Sequence, residues 1–543
     1  MKLLLKIPVM ICALALMQGC KKEFLNRPPE DQLTADVFYK TAEEVMAGTA
    51  PLYNIVWFDY NDKANLSFGD ARAGNMISND RDAYYRFAVQ ATETSTLLPA
   101  YKSFYKIIAQ SNQTMVNIQK NATAVDEAVK RAAIGECRFM RSMGYYYLVL
   151  NWGAVPIIYD NEKQLSDKTV TRNTVKSIWE LIIRDLTYAA KNLPVSVAQD
   201  GRLTKWSAEG MLARMYLYRS GVDAAAGARK QSDLDSAKFY AGSVINSGVY
   251  KLEANYADLF KSENHNSSRN NKESLFSIQW MPIKDPWGIN NSFQAYMARN
   301  GDITGSWDGW GAAHGASANL VKYYLANPAD SNRRKATFMF NDDFYPEIRK
   351  DLGGYKFTAT DIANTKKYII GSVKDNGGKG SEMNAYINTY MLRLAEIYLI
   401  YAEATMGNAA ATSDAEALKY FNAVRNRAMP GATPKTSITF DDIFNEKRIE
   451  TVFEGVYWYE LVRLYYFNPA KAKEIINAQD KGNYTLTHVA GTEAPRQYTA
   501  TYNSVTYPIS DQTMFLPMPE AEIIKAPNLL NTPVDFDFSV IPD

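Results

Sequence analysis

Cysteine and histidine are nearly missing from this chain, with three of each in 543 residues. His265, His314 and His488 lie far apart, and neither a Cys/His cluster nor an H-E-x-x-H occurs, so a zinc site has no support. Cys12 falls in the N-terminal apolar run and Cys137 inside a helical pattern, which leaves no disulfide framework for an exported chain of this size. Cys137 reads as a small buried hydrophobe. G-x-x-x-x-G-K-[ST], G-x-G-x-x-G after a strand, and G-x-S-x-G are absent too, so nucleotide and serine-hydrolase chemistry lack their usual motifs. The run Gly377-Gly378-Lys379-Gly380 lacks the P-loop spacing and reads as a loop tip. A net charge of +1 gives no basic footprint for nucleic acid or an acidic membrane. Beyond the N-terminus no stretch is long and apolar enough to cross a bilayer.

The N-terminus carries the clearest positive signal. Lys2 and Lys6 flank the start of an apolar run, Ile7 to Met17, that ends in Gln18-Gly19-Cys20. A basic start, a core too short to span and a small residue before the break define an export signal. The cysteine at the break makes it a lipoprotein signal, although Met17 and Gln18 depart from the usual lipobox. Residues 1–19 are then the signal peptide, and Cys20 the lipidated mature N-terminus. The bland alternative is an ordinary secreted protein with Cys20 incidental. Lys21, where an Asp often retains lipoproteins at the inner membrane, favours the outer membrane, and Lys21-Lys22-Glu23 is a charged leader compatible with surface display.

Helical periodicity dominates two blocks. The first holds Glu43 to Val56, Tyr101 to Asn121, Val125 to Asn151, Val175 to Asn192, Ala208 to Ser220 and Asp235 to Ser247. The second holds Tyr390 to Met406, Asp414 to Arg427 and Phe440 to Tyr466. Thr174, Thr204, Asp235 and Asp414 are the expected caps. The stretches Ala208–Ser247 and Leu392–Arg427 look alike, each with Ala at packing positions, as stacked helical pairs require. The fold class read from this is all-α: a tetratricopeptide-like helical-pair scaffold with large loop-rich insertions and few short strands. The scaffold covers about 36–56, 97–248 and 390–467, and the loop-rich part about 57–96, 249–389 and 468–543. Leu275 to Trp280 is a candidate short strand.

Aromatics make up 13% of the chain, with 36 Tyr, 23 Phe and 9 Trp. Tyr and Trp join an apolar face to a polar tip and serve both helix packing and the stacking of flat ligands. Tyr145-Tyr146-Tyr147 and Tyr457-Trp458-Tyr459 fall in helices and read as packing. Trp57, Tyr60, Trp287, Tyr296 and Trp307 fall in polar, Gly-rich stretches and are the candidate ligand platform, with Asp59, Asp70, Arg72 and Asn75 as its polar contacts; local loop packing is the competing reading for each. Trp310 lies in the same surroundings, and with Gly311 after it a structural role is its stronger competing reading. Arg138, Arg141, Arg393, Glu396, Glu403, Arg425, Arg427, Glu446, Arg448, Glu450, Glu454 and Arg463 lie on predicted scaffold helices and read as buried or half-buried Arg–Glu bridges rather than acid–base machinery. No catalytic residue, cofactor or metal is expected, and Asn341-Asp342-Asp343 lacks an EF-hand pattern for calcium.

Several motifs in order resemble the SusD/RagB family of outer-membrane nutrient-binding lipoproteins. They are Cys20 to Asn26; Glu136-Cys137-Arg138-Phe139-Met140-Arg141 through Tyr145 to Leu148; Gly153-Ala154-Val155-Pro156; Gly201-Arg202-Leu203-Thr204; Leu392-Arg393-Leu394-Ala395-Glu396; Asn422 to Ala428; Glu446-Lys447-Arg448; Glu454-Gly455 to Arg463; Leu516 to Pro519; and Asn531-Thr532-Pro533. The resemblance spans nearly the whole mature chain and makes 20–543 a single domain. Cys137 stands where the family usually has Ala. The resemblance implies four tetratricopeptide-like pairs, an oligosaccharide ligand with peptides less common, and a SusC-like TonB-dependent transporter as partner. Two other functions stay open on the residues: a surface glycoside hydrolase using loop acids such as Asp302, Asp308, Asp342, Asp343 and Glu347, and a helical-repeat adaptor gripping a protein.

Overall fold

Most of the long helices in this protein start at a capping side chain that the sequence offers. In the computed structural model, residues 35 and 37–541 are described, apart from 78–81, 165, 225–226, 266–270, 284–286, 308, 312–313, 381–382 and 494–495. The signal peptide and Cys20 lie outside the described residues. Helix α1 (Ala42–Thr49) opens on a capping box in which Thr41 accepts from the Glu44 N–H and Glu44 reaches back. After α2 (Leu97–Asn121), α3 (Glu127–Trp152) is capped by Asp126, α4 (Val175–Asn192) by Thr174 and α5 (Lys205–Arg219) by Thr204. Helix α6 (Gln231–Asn246) departs from expectation: it begins one turn before Asp235, after Lys230, with no side-chain cap.

The second block contains α7 (Leu394–Met406), α8 (Ala415–Ala428, capped by Asp414), α9 (Phe440–Glu450), α10 (Tyr457–Phe467) and α11 (Pro469–Asn477). Each helix from α2 to α8 packs on the one before it. The α6–α7 contact is the informative one, because it continues the stack across the long insertion between the blocks. Small residues permit the close approach: Ala237, Ala241 and Ala417 are fully buried, and a Cβ on Gly210 of α5 would lie 2.6 Å from the Leu275 side chain.

Four expectations are corrected. The apolar run at the start of the supposed helix Tyr390–Met406 is a strand, β2 (Thr389–Arg393), antiparallel to β1 (Ser274–Ile278), which includes most of the expected strand. All five β2 residues are buried, and a short apolar run does not declare its own period. The supposed single helix Phe440–Tyr466 breaks at 451–456, where Phe453 and Gly455 take positive φ. Residues 57–72, expected as loop, continue a helical path from Ile55, which Asn54 (φ −147°, ψ −76°) separates from the turn Ala50–Tyr53, with π-turns at Tyr60–Ala64 and Ser67–Ala71. A π-turn spaces its bonds five residues apart, so a 3.6-residue template misses it. The C-terminal part is also more ordered than expected, for it contains the hairpin β3 (Asn483–Glu493) and β4 (Arg496–Asn503).

Two main cores result. One runs through the scaffold and takes in Tyr145, Tyr146, Tyr147, Trp458 and Cys137. The other lies under the insertion, where Tyr484 and Leu486 of the hairpin join Phe338 and Tyr368. Between them stands a buried ion network. The Arg393 guanidinium contacts Glu273 at 2.6 Å, Glu450 at 2.9 Å and Glu454 at 2.8 Å. Arg463 bridges Glu403 and Glu460 at 2.6 Å each, and Arg214 pairs with Glu396. Forked, multiply bonded pairs satisfy carboxylates that would otherwise be stranded in the interior. The scaffold acids thus bridge neighbouring elements, as the sequence reading expected, although Arg393 lies on β2 and Glu454 in the break rather than on helices, and Arg425 and Arg448 donate to Thr433 O and Asn75 Oδ1 instead.

Candidate functional site

The helical segment 55–72 is the floor of a region where several large aromatic rings reach solvent. Phe58 is buried in this segment and meets Trp287 edge-on, with ring centroids 5.4 Å apart at 71°. Gly288 follows with φ of +102°, and its hydrogen faces Ile55 and Phe58, so the turn sits directly on the floor. The Met281 N–H donates to Ile289 O at 2.8 Å and closes the base of this loop. Trp287 remains 49% exposed, and Met281 and Ile283 beside it are exposed as well.

Further along, the short helix Phe293–Met297 is anchored by Gln294, whose buried amide accepts from the Ile370 and Gly371 N–H groups and donates to Gly371 O. This anchoring leaves Tyr296 half-buried at the surface. Tyr296 meets Trp310 edge-on at 5.5 Å, and Trp310 stacks on Trp307 at 5.6 Å and 26°. Trp307 is 59% exposed and Trp310 38%. The loop bearing them is laced down by Trp310 N–H to Ala295 O and Gly311 N–H to Ala298 O, both 2.7 Å. Gly311 is required there, because a Cβ would lie 2.5 Å from Tyr296 O. The backbone at Trp310 and Gly311 is therefore pinned, which lowers the ordering cost of binding there.

Charge enters from the floor. Lys63 pairs with Asp62 at 2.7 Å. Against the lowering effect of partial burial, Asp62 and Tyr296 hold the Lys63 ammonium above its ordinary pKa. Phe58 under Trp287 and Lys63 beside Tyr296 are five residues apart on one helical segment, so both halves of the aromatic surface rest on neighbouring turns of one element.

Of the residues singled out from sequence, Trp287, Tyr296 and Trp307 lie at this surface and Asp59 is half-buried on its floor. The other five do not reach solvent. Trp57 is fully buried and donates from Nε1 to Leu52 O at 2.9 Å. Tyr60 is buried against Phe104 and Tyr147. Asp70 accepts from Asn75 Nδ2 and from the Phe453 and Gly455 N–H groups, and burial pushes its carboxyl up to about 6. Arg72 lies 3.9 Å over the Trp458 ring and donates to Asn151 Oδ1 and Met514 O; burial lowers it to about 9. Asn75 accepts from Arg448 Nε at 2.9 Å. Their polar neighbourhood in sequence belongs to a buried hydrogen-bond network. Trp310, for which the sequence left both a binding and a structural role open, is a partly exposed member of the surface, and Met281 and Ile283 were not anticipated.

The loop acids are committed locally. Asp343 is buried against Arg334, Asp342 pairs with Lys356 and His488, and Glu347 faces Lys366. Asp302 accepts from Asn300 Nδ2, and Asp308 lies outside the described residues. In Asn341-Asp342-Asp343, the run without an EF-hand pattern, Asn341 Nδ2 donates to Thr358 O.

This geometry agrees with what the chain is similar to. Residues 272–534 match the SusD family, and residues 23–217 match a family described as starch-binding and associating with the outer membrane. A SusD-like protein of Bacteroides ovatus is 36% identical over 98% of both chains. The chain belongs to the SusD family. SusD-like protein P2 of Formosa agariphila is 26% identical over 84% of this chain and 90% of its own. A crystal structure with xylogluco-oligosaccharide superposes with a TM-score of 0.83 at 35% identity, covering 91% of this chain and 99% of that one. A laminarin-binding SusD-like protein, at 22% identity and a TM-score of 0.66, covers 90% of this chain and 98% of its own, and shares the SusD fold.

Proposed function

We propose that the mature chain, residues 20–543, is a lipid-anchored outer-membrane protein that captures oligosaccharides at the cell surface and passes them to a SusC-like TonB-dependent transporter without cleaving them. The observation that carries this reading is the exposed ring surface of Trp287, Tyr296, Trp307 and Trp310, with the backbone pinned at Trp310 and Gly311. A sugar ring presents an apolar C–H face to such a plane and its hydroxyls to the polar rim, here Asp59 and Lys63. Large exposed aromatic patches are rare on soluble proteins without a ligand or partner. Among ligand classes, xyloglucan fragments are the first choice, because a relative 35% identical was solved with one. Peptides are the second class to test.

The non-catalytic part rests on the carboxylates. Hydrolysis of a glycoside needs two acids facing one another across the bond, roughly 5–10 Å apart. Asp342 and Asp343 are instead paired with cations, and Glu347 stands 3.5 Å from Lys366. Anchoring rests on Cys20 and on the rule that more than one acyl chain gives stable membrane attachment. A panel of oligosaccharides and peptides, titrated against residues 21–543 with product analysis on the same samples, tests the reading. Saturable binding of one glycan class with no new products supports it, and cleavage products overturn it.

A further inference from the structure

A second cleft, of about 370 Å³, shares no lining residue with the aromatic surface. It opens between the turn Tyr256–Phe260, the helix Ser331–Thr337 and residues 344–350. That volume lies in the range of small-molecule sites. Its chemistry differs from that of the platform, because the lining is rich in lysine.

Lys335 and Lys366 bring their ammonium groups to 5.5 and 5.8 Å from the centroid of one ring, that of Tyr345. Lys366 is only 9% exposed, yet its contacts are long: 3.5 Å to Glu347 and 3.4 Å to Ile369 O. An ammonium has three donors, and good bonds from nitrogen to oxygen fall near 2.9 Å. The group is thus buried and underserved, and burial lowers its pKa against the weaker pull of Glu347. Lys335 makes no ion pair among the described residues. Three acids share the lining with Lys261, Lys335, Lys350 and Lys366: Glu263, the partly exposed Glu347, and Asp375, which is already spent on the backbone N–H groups of Arg349, Lys350 and Ser372 and on the Ser372 hydroxyl. At the mouth, Phe344 exposes 43% of its surface.

We propose that this cleft is a second ligand site, which takes the carboxylate of a uronic acid residue in an acidic oligosaccharide, with the carboxylate against Lys335 and Lys366 and the sugar ring against Phe344. A carboxylate there would supply the short, charge-assisted bonds that Lys366 lacks. The cleft is independent of the aromatic platform, so the two readings fail separately.

The test is calorimetric titration of residues 21–543 with trigalacturonic acid, with cellotriose and acetate as controls. The expected result is saturable binding of trigalacturonic acid that weakens as salt is raised. Lys335→Ala and Phe344→Ala, both at exposed positions, should each weaken it roughly tenfold while leaving Tm unchanged, and Trp307→Ala should leave it intact. No binding of trigalacturonic acid, equal binding of cellotriose, or loss on Trp307→Ala would overturn the proposal. Acetate binding as tightly as the trisaccharide would overturn the recognition of a sugar.

Discussion

The Asp70 carboxylate accepts a 3.0 Å hydrogen bond from the N–H of Gly455, a residue 385 positions further along the chain. Its other oxygen takes the Phe453 N–H at 3.0 Å. Gly69, next to Asp70, packs so closely that a Cβ there would lie 2.3 Å from Gly455 Cα. This clamp ties the floor of the aromatic surface to the break between α9 and α10. It also explains why the break exists: two backbone N–H groups released from the helix find an acceptor built into segment 55–72.

Asp70→Ala should therefore cost stability rather than binding contacts. Two buried N–H groups lose their acceptor, a loss on the order of 3 kcal/mol, visible as a lower Tm in differential scanning calorimetry. An unchanged Tm would show that the clamp is incidental.

The exposed and buried tryptophans should separate cleanly. Trp307→Ala removes a ring that is 59% exposed and should leave Tm nearly unchanged while weakening oligosaccharide binding about tenfold or more. Trp57→Ala opens a cavity in the core and should destabilise by about 3–5 kcal/mol. Thermal melts and glycan titrations on the two variants check both halves.

That contrast also marks what the sequence made legible. The helical stack was readable because its helices follow a 3.6-residue period, with Asp or Thr caps on α3, α4, α5 and α8, and the Arg–Glu bridges in part, because Glu396, Glu403, Glu446 and Glu450 fall on helices while Glu454 falls in the break between α9 and α10 and Glu273 just before β1. The aromatic surface was half readable: Trp287 and Trp307 sit in Gly-rich stretches that do form loops, with Gly311 allowing the close backbone approach. Trp57, Tyr60, Asp70, Arg72 and Asn75 were misplaced because Asn, Asp and Gly in a π-helical segment look like loop residues. Their partners Gly455, Asn151 and Arg448 lie far along the chain, and no local pattern reveals them. The hairpin 483–503 did carry its signal, for Tyr484, Leu486 and His488 alternate with Thr485 and Thr487 at a period of two.

Arg393 is the hub of the buried network, and Arg393→Met should be severe. It leaves Glu273, Glu450 and Glu454 without a shared counter-ion in the interior. Breaking one side of a buried pair costs about 3–5 kcal/mol. The expected outcome is a sharp fall in soluble yield and Tm; a variant as stable as the parent would show that Arg427 and Lys367 suffice.

Acid should loosen the scaffold through Glu460. Burial alone would raise its pKa, but Arg463, Lys447 and the Tyr218 hydroxyl outweigh that and hold it at about 2. A carboxyl depressed in the folded state stabilises above its ordinary pKa, and that contribution is lost as pH falls from about 4.5 toward 2. Glu460→Gln should lower Tm at neutral pH and flatten the pH dependence of Tm within that window. Parallel curves for parent and variant would contradict the assignment.

If Cys20 carries the lipid, Cys20→Ala should release the protein from the membrane fraction. Detergent phase partitioning of cells expressing each form checks this, and an unchanged membrane fraction would remove lipidation at Cys20 from the proposed function.

The most direct test of capture by the aromatic surface is calorimetric titration of a xylogluco-oligosaccharide into residues 21–543 of the parent and of Trp307→Ala, with chromatography of the sugar afterwards. Saturable binding by the parent, a loss of about tenfold or more in the variant and an intact sugar in both are the expected result. Equal binding by the two proteins at unchanged stability, or a shortened sugar, would contradict it.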